Sequence, residues 1–324
     1  MIAIVLRENT HQITTGASDT SFSLKSAIVT GATGFVGSAV THILAEEGVL
    51  VYALDLQHSN EIKHPHIQNI SCDIVSIEQI RSNIIEPPDV FFAFAWRGSA
   101  GEARKDYAIQ LENARQMADC VVFAKSIGCT RFVGAGSITE RETNEAVYAQ
   151  GSKPGMPYIY GAGKVAAHEI CKCVAAKEEI DFLWAFITNA YGPGELSPRL
   201  VNTTLRKMMN DEDVSFTAGT QRYDFVYIDD VARAFYLIAK YGKPFHEYNI
   251  GSGTSKPLKE YMQIVRDIAA PGKEIRFGDI PFTGIDLAPE AFDITQLRED
   301  TGFNPEVDFA EGVLRTKIWL EGIL

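Results

Sequence analysis

The alternation of apolar and polar positions changes character near residue 27. Ahead of it the apolar residues cluster in "IAIVL" at 2–6, closed by Arg7 and Glu8. Residues 9–26, "NTHQITTGASDTSFSLKS", are polar and rich in serine and threonine. This leader, residues 1–26, predicts a loop with 2–6 as an extra edge strand. From Ala27 onward, short apolar runs alternate with stretches whose apolar residues recur every three or four positions. "AIVT", "VLVYALD", "NISCDI", "DVFFAFA", "RFVGAG" and "DFLWAFI" predict strands. "SAVTHILAEEG", stopping at Gly48, and "NARQMADCVVFAKSIG" predict helices. Strand and helix alternating in this way predict an α/β fold: a doubly wound parallel sheet with helices on both faces.

Beyond about residue 190 the alternation becomes irregular. "AYGPGELSP" is a Pro/Gly loop, and "RLVNTTLRKMMN" has helical spacing. "RYDFVYIDDVARAFYLIAKYG" is a strand running into a helix. "KPLKEYMQIVRDIAA" predicts another helix, and the last thirty or so residues predict two more around a loop. The expected organisation is a first domain over 27–189 and a smaller α/β region over 190–324, with segments near 224–251 passing back to the sheet.

Composition narrows the function. The chain has 324 residues, 46% of them hydrophobic, and a formal net charge of −12. An acidic surface argues against nucleic acid or an anionic membrane as the main partner, but leaves room for a locally positive site. No apolar run approaches the roughly 18 residues that a membrane span needs, and "MIAIVLRE" is too short for a signal-peptide core. A soluble, cytoplasmic protein is expected. Cys72, Cys120, Cys129, Cys171 and Cys173 form no spaced framework, and the histidines form no ligand pair, so no metal site is expected.

The first strand ends in "VTGATGFVG", which spaces Gly31, Gly34 and Gly37 as G-x-x-G-x-x-G at a strand-to-helix junction. Glycine there lets the backbone turn sharply and approach a pyrophosphate, with the free N–H groups of the next helix aimed at it. Gly31, Thr33, Gly34, Phe35, Val36 and Gly37 are therefore candidate cofactor contacts. Asp55 closes the second strand, where a carboxylate accepts hydrogen bonds from a ribose and repels a 2′-phosphate. That favours NAD over NADP. Asp73 and Ile74, after the third predicted strand, are placed to meet the adenine.

Chemistry is concentrated in "PYIYGAGKVAAHE". Tyr160 and Lys164 stand one helical turn apart and share a face, whereas Tyr158 does not keep that spacing and is expected to be a neighbour lining the site. An ammonium near a phenol lowers its pKa and makes it an acid/base usable near neutrality. Ser137 ends the predicted strand "FVGAGS", and strand ends of a parallel sheet gather on one side, so its hydroxyl can join the pair.

Taken together, "VTGATGFVG", Ser137, Tyr160-x-x-x-Lys164, "NAYGPGE" and "DFVYIDDVARA" resemble the extended short-chain dehydrogenase/reductase family, in its nucleotide-sugar epimerase/dehydratase branch. The match runs in order from about Ala27 to the C-terminus. The resemblance implies a Rossmann domain holding NAD, a nucleotide-sugar substrate in the C-terminal region, and hydride exchange at a sugar carbon, usually C4. Ser137 would orient the hydroxyl, Tyr160 would take or return its proton, and Lys164 would tune Tyr160 and hold the nicotinamide ribose. Ala93 and Ala95 fall on the family's cofactor-lining strand end, and Asn189 on a position that commonly contacts the sugar diphosphate. A homodimer is also implied.

The chain departs from the family in three places. Where dehydratases carry Asp-Glu after the Ser/Thr, Ile138 and Thr139 follow Ser137 and Glu140 comes one place late, which weighs against a dehydratase. The family's diphosphate arginine is replaced by Tyr223, leaving the displaced Arg222, and Arg199, as candidate substrate contacts. Trp96, in "AFAWRG", stands near the expected nicotinamide and would shape the sugar pocket. Three readings remain: an NAD-dependent nucleotide-sugar epimerase; a reductase of a 4-keto-6-deoxy nucleotide sugar, which "FAWRG", "QRYDF" and "FGDIPF" favour; and a non-catalytic NAD-binding protein, against which the complete Ser/Tyr/Lys set speaks.

Overall fold

A computed structural model describes residues 22–56 and 61–323. The anticipated edge strand at 2–6 and most of the leader lie outside these residues. The first half of the chain runs β1 (Ser26–Thr30), α1 (Phe35–Glu46), β2 (Leu50–Asp55), β3 (Ile67–Ser71), β4 (Val90–Ala93) and α2 (Tyr107–Ser126). It continues through β5 (Arg131–Ser137), α3 (Thr139–Tyr148), α4 (Ile159–Glu178) and β6 (Asp181–Ile187). The second half carries α5 (Leu200–Met209), α6 (Ile228–Tyr241), the strand Glu247–Ile250, α7 (Leu258–Ala269), α8 (Thr295–Thr301) and α9 (Phe309–Glu321).

Seven strands form one sheet in the order β3-β2-β1-β4-β5-β6 and then Glu247–Ile250. Every pairing in it is parallel. This is the doubly wound Rossmann-type arrangement the alternation predicts. The unbroken apolar texture of "AIVT" and "VFFA" follows from it: every one of these residues is buried, because helices cover both faces. On one face Val40 and Leu44 of α1 pack with Phe235 and Ile238 of α6. On the other, Met117 and Val121 of α2 pack with Ala167 and Cys171 of α4.

Leu205 of α5, Met262 of α7 and Val313 of α9 belong to the same cluster as α1 and α6, so the C-terminal helices extend one core rather than building a second. Three short pairings brace them: Asn189–Tyr191 with Phe225–Tyr227, Arg222–Tyr223 with Lys256–Pro257, and Ser215–Phe216 with Arg276–Phe277. Among the described residues, no helix is long and apolar enough to cross a membrane.

Two elements differ from expectation. β3 stops at Ser71, because Asp73 caps the next 3-10 turn by accepting a hydrogen bond from the Val75 N–H at 3.1 Å. Helix α3 lacks the apolar stripe that announces a helix. Its buried positions are Glu140, Thr143 and Ala146, so its inner face is largely polar.

The turn after β1 shows why its glycines are needed. Gly31 has φ +67°, in the left-handed region, and a Cβ on Gly37 would stand 2.0 Å from the Gly31 carbonyl oxygen. Because that neighbour is backbone, it cannot swing aside. Gly37→Ala is expected to destabilise the fold by about 1–3 kcal/mol, as overpacking does, and to lower dinucleotide affinity with it. Thermal unfolding with and without added NAD checks both.

Candidate active site

The sheet order reverses between β1 and β4, and the carboxyl ends of these strands part to open a cleft. A cavity of about 600 Å³ occupies it. Its floor is the glycine turn, with Gly31, Thr33, Gly34, Phe35, Val36 and Gly37 all on the wall. Helix α1 begins there with Gly34 as its N-cap, no capping side chain and no acidic residue in its first turn. Its first N–H groups are therefore left for an anion. Asp55 lines the same cavity; its Oδ2 accepts from Thr33 N at 2.8 Å and from Thr33 Oγ1 at 2.7 Å, while Oδ1 accepts from Leu56 N at 2.8 Å. Asp73 and Ile74 line it further along, beside Cys72, whose thiol burial pushes up to about 11. A cradle that a Cβ would fill, an uncapped helix start and a carboxylate at the second strand end fit a dinucleotide.

Ser137, Tyr160 and Lys164 come together on the opposite wall. β5 delivers Ser137 at its last residue; the Thr139 N–H and hydroxyl both donate to Ser137 Oγ, at 3.3 Å and 2.8 Å. Tyr160 and Lys164 sit on the inner face of α4 and are almost fully buried. Burial raises the Tyr160 phenol above its ordinary value; the charges of Arg104 and Arg199 and a hydrogen bond with Ser137 oppose that, while Glu140 adds to it. Burial pulls Lys164 down to about 7, against the attraction of Glu140.

Tyr160 and Lys164 share the cavity wall, and each also meets another partner. Lys164 Nζ donates to the Ala135 carbonyl at 2.8 Å and lies 3.6 Å from the centre of the Trp96 ring. The cation over Tyr160 is Arg104, whose Cζ is 3.8 Å from the phenol ring centre. The reason is tertiary. Trp96 leaves β4 and packs edge-on against Tyr160, which places its ring face within reach of the ammonium.

Two buried amides of α2 fix this arrangement. Gln110 accepts from Trp96 Nε1 at 2.8 Å and donates to the carbonyls of Gly98 and Ala103, at 3.1 and 3.0 Å. Asn113 accepts from Arg97 N at 3.1 Å and donates to Arg97 O at 2.8 Å. Arg104 and Arg199 meet at Ser99, donating to its carbonyl at 2.9 and 3.2 Å. Sequence reading missed Arg104, Gln110 and Asn113. The one available signal was Asp106, which caps α2 through Ala108 N and Ile109 N and so marks where this loop ends.

The remaining candidates divide. Trp96, Ala95, Asn189 and Arg199 line the cavity, and Asn189 Nδ2 is also held by the Asp224 carbonyl at 3.1 Å. Ala93 does not reach it; it is the last residue of β4 and its side chain is buried in the core beneath the sheet. Arg222 does not reach it either: its guanidinium donates to the Ser255 carbonyl at 3.0 Å, because its short strand pairs with Lys256–Pro257. Tyr158 is likewise off the wall, at the N-cap position of α4. Glu140 turns inward: Oε1 accepts from Ser137 N at 2.8 Å and Trp184 Nε1 at 3.3 Å, and Oε2 lies 3.6 Å from His168.

Against known proteins, residues 27–251 match the model of the NAD dependent epimerase/dehydratase family. The chain is 23% identical to a CDP-abequose synthase of Salmonella muenchen, over 89% of this chain and 96% of that one. It is 24% identical to a UDP-glucose 4-epimerase of Mycolicibacterium smegmatis, over 89% and 96%. A solved UDP-N-acetylglucosamine 4-epimerase from Methanobrevibacter ruminantium superposes with a TM-score of 0.78 at 21% identity, covering 94% of this chain and all of that one. That likeness shows the shared fold.

Lys164 gives a test with a definite sign. Below pH 7 its ammonium is charged in the folded and unfolded chain alike and carries the full penalty of burial. Between about 7 and the ordinary lysine value, the folded chain holds it neutral while the unfolded chain still binds the proton, so stability rises with pH through this window. Lys164→Met should therefore raise the melting temperature more at pH 6 than at pH 9. An equal shift at both would show that Lys164 titrates normally.

Proposed function

The chain belongs to the NAD-dependent epimerase/dehydratase family of nucleotide-sugar enzymes, and on that premise we propose that it is an NAD-dependent nucleotide-sugar epimerase working at a sugar carbon, C4 by preference. The observation that carries this reading is the shared cavity: the glycine turn and Asp55 on one wall, Ser137 and Tyr160 on the other, with Glu140 off the wall. Glu140, the first carboxylate after Ser137, is held by Ser137 N, Trp184 and His168 inside the fold.

Residue roles follow from position. Gly31, Thr33, Gly34, Phe35, Val36 and Gly37 would hold the pyrophosphate and Asp55 the adenosine ribose, favouring NAD over NADP. Asp73 and Ile74 would flank the adenine. Bound there, the nicotinamide supplies a hydride acceptor that can return the hydride to the other face of the sugar carbon. Ser137 would orient the sugar hydroxyl, and Tyr160 would take its proton and give it back. Lys164 would hold the nicotinamide ribose. Asn189 and Arg199 would contact the sugar diphosphate; Trp96 would shape the sugar pocket. Residues 27–189 would form the cofactor domain and 190–324 the substrate region.

The segments "FAWRG", "QRYDF" and "FGDIPF" favour a second reading, a reductase of a 4-keto-6-deoxy nucleotide sugar. A homodimer is also proposed. Tyr107, Leu111 and Val122 are exposed along one stripe of α2, with Ile170 exposed on the adjacent α4, an apolar surface suited to a second copy.

Three outcomes are expected. Heat-denatured, freshly purified protein should release near-stoichiometric NAD, identified by absorbance and mass; an empty site, with turnover of 4-keto sugars only when NADH is added, would favour the reductase. Tyr160→Phe should cut conversion across a panel of UDP-, GDP-, CDP- and dTDP-sugars by about 10²–10⁴-fold, the range of general acid–base catalysis, without loss of NAD. Sedimentation should give twice the chain mass, and Leu111→Glu with Val122→Glu should halve it.

A further inference from the structure

We propose that His168 is a positioning residue for Ser137: as a cation between Glu140 and Glu247, it keeps the Glu140 carboxylate aimed at the Ser137 backbone N–H. This role rests on the reading of Ser137 as the residue that orients the sugar hydroxyl. His168 follows Tyr160 and Lys164 on the same side of α4, one further turn along. Its ring is largely buried and lies parallel to the Trp184 indole, with ring centres 4.7 Å apart and 2° between the planes. Phe182 and Phe186 of the same strand flank it at 6.2 and 5.5 Å.

The two nitrogens decide the state of the ring. Nδ1 lies 3.6 Å from Glu140 Oε2, and Nε2 lies 3.4 Å from Glu247 Oε1. A neutral imidazole has one N–H and one lone pair, so one of the two carboxylates would face a lone pair. Only the doubly protonated ring offers an N–H to each. The indole face attracts the same cation. Nε2 makes no aligned hydrogen bond, so charge links it to Glu247, and that attraction falls off slowly with distance.

Every element packed on the ring contributes to this balance. From α3 comes Glu140, whose Oε1 is held by the neutral donors Ser137 N and Trp184 Nε1, at 2.8 and 3.3 Å. Among the described residues, His168 is its one ion-pair partner. Arg141, also on α3, is engaged by Asn249 and the Phe186 ring. From the strand Glu247–Ile250 comes Glu247, which also pairs with Lys172 of α4 at 2.8 Å. Lys164 of α4 is attracted by Glu140 as well, though burial pulls it down to about 7. β6 supplies uncharged rings. Burial opposes the charge on His168 and the two carboxylates outweigh it, so the ring keeps its proton above the ordinary histidine value.

Below that ordinary value the folded and unfolded chains both carry the proton, and the clamp contributes in full. Between it and the raised folded value only the folded chain keeps the proton, so the contribution falls as pH rises through this window. Once the proton is lost, Glu140 keeps donors on Oε1 alone and turns from Ser137 N, which ends β5 without its acceptor.

The test reads the Ser137 amide. Protein carrying ¹⁵N-serine and ring-labelled histidine, saturated with NAD, is titrated by NMR between about pH 5 and 9, either side of the ordinary histidine value. The two signals are assigned by their loss in Ser137→Ala and His168→Gln. In the native chain the Ser137 amide should shift in one step with the midpoint of the His168 ring. His168→Gln should remove that step and leave the amide at its alkaline position throughout. His168→Arg, whose planar cation can stack on Trp184 and stays charged, should hold it at the acidic position. An amide that ignores the His168 titration overturns the proposal, and so does a step that survives undiminished in His168→Gln. If His168→Arg does not fold, the native chain against His168→Gln decides. Because NAD is the one ligand present, these results are independent of which sugar is turned over. With any sugar that is converted, His168→Gln should lower kcat by about 10- to 10²-fold, as a misplacement of about 1 Å does, and His168→Arg should restore most of it. Equal losses in the two variants would assign His168 to shape rather than charge and overturn the proposal. The reading of Ser137 fails separately, through full turnover in Ser137→Ala.

Discussion

Everything in the cleft depends on how the ends of β1 and β4 are held apart and yet in register. The Thr30 hydroxyl, at the last position of β1, accepts from Phe94 N and Ala95 N at 3.2 and 3.3 Å. Directly above, Gly31 faces Ala95 so closely that a Cβ would lie 2.8 Å from its nitrogen. This contact brings the cofactor turn and the loop carrying Trp96, Ser99 and Arg104 from opposite sides of the strand-order reversal to one point. A side chain at 31 would push them apart. The phosphate cradle and the acid/base chemistry would then no longer share a wall.

Burial sets the chemistry of that wall. The same desolvation that raises the Tyr160 phenol pulls Lys164 down to about 7, so the two groups the family pairs are driven toward neutrality together. A guanidinium resists this because its own pKa starts far higher, and the fold supplies one at Tyr160 from a loop remote in sequence. The overall charge of −12 gives no hint of it. Arg104 and Arg199 both act on Tyr160 over a few ångströms, whereas the acidic surface is screened beyond about a Debye length.

Trp184 links the core to the site in a way no motif announces. Fully buried on β6, its ring lies against Gly134 and Gly136 of β5, close enough that a Cβ at either would stand 2.3 Å from it. Its indole N–H ends on Glu140, which also receives Ser137 N. The carboxylate that reads in sequence as a late dehydratase acid is, in space, the polar floor beneath Ser137. A buried carboxylate with three partners is well matched to that place, and its inward aim keeps it off the cavity wall.

The sheet, its helices and the floor of the cavity were legible because each follows from local rules. Apolar runs of strand length make the central strands, 3.6-residue spacing makes the helices, and glycines at a strand-to-helix junction make the turn. Ser137, Tyr160 and Lys164 were placed together by the same logic of strand ends and helix faces. Helix α3 was not legible, since its buried face is polar, nor was the end of β3, which a single Asp73 cap decides. What only the tertiary structure determined is which charge meets which ring. Arg104 reaches Tyr160, Lys164 turns to Trp96, and Arg222 turns away from the cleft, because the loops that carry or meet them are bound to Gln110, Asn113 and the strand Lys256–Pro257. Electrostatic partners are set by distance in space, and hydrogen bonds between segments far apart in the chain set that distance.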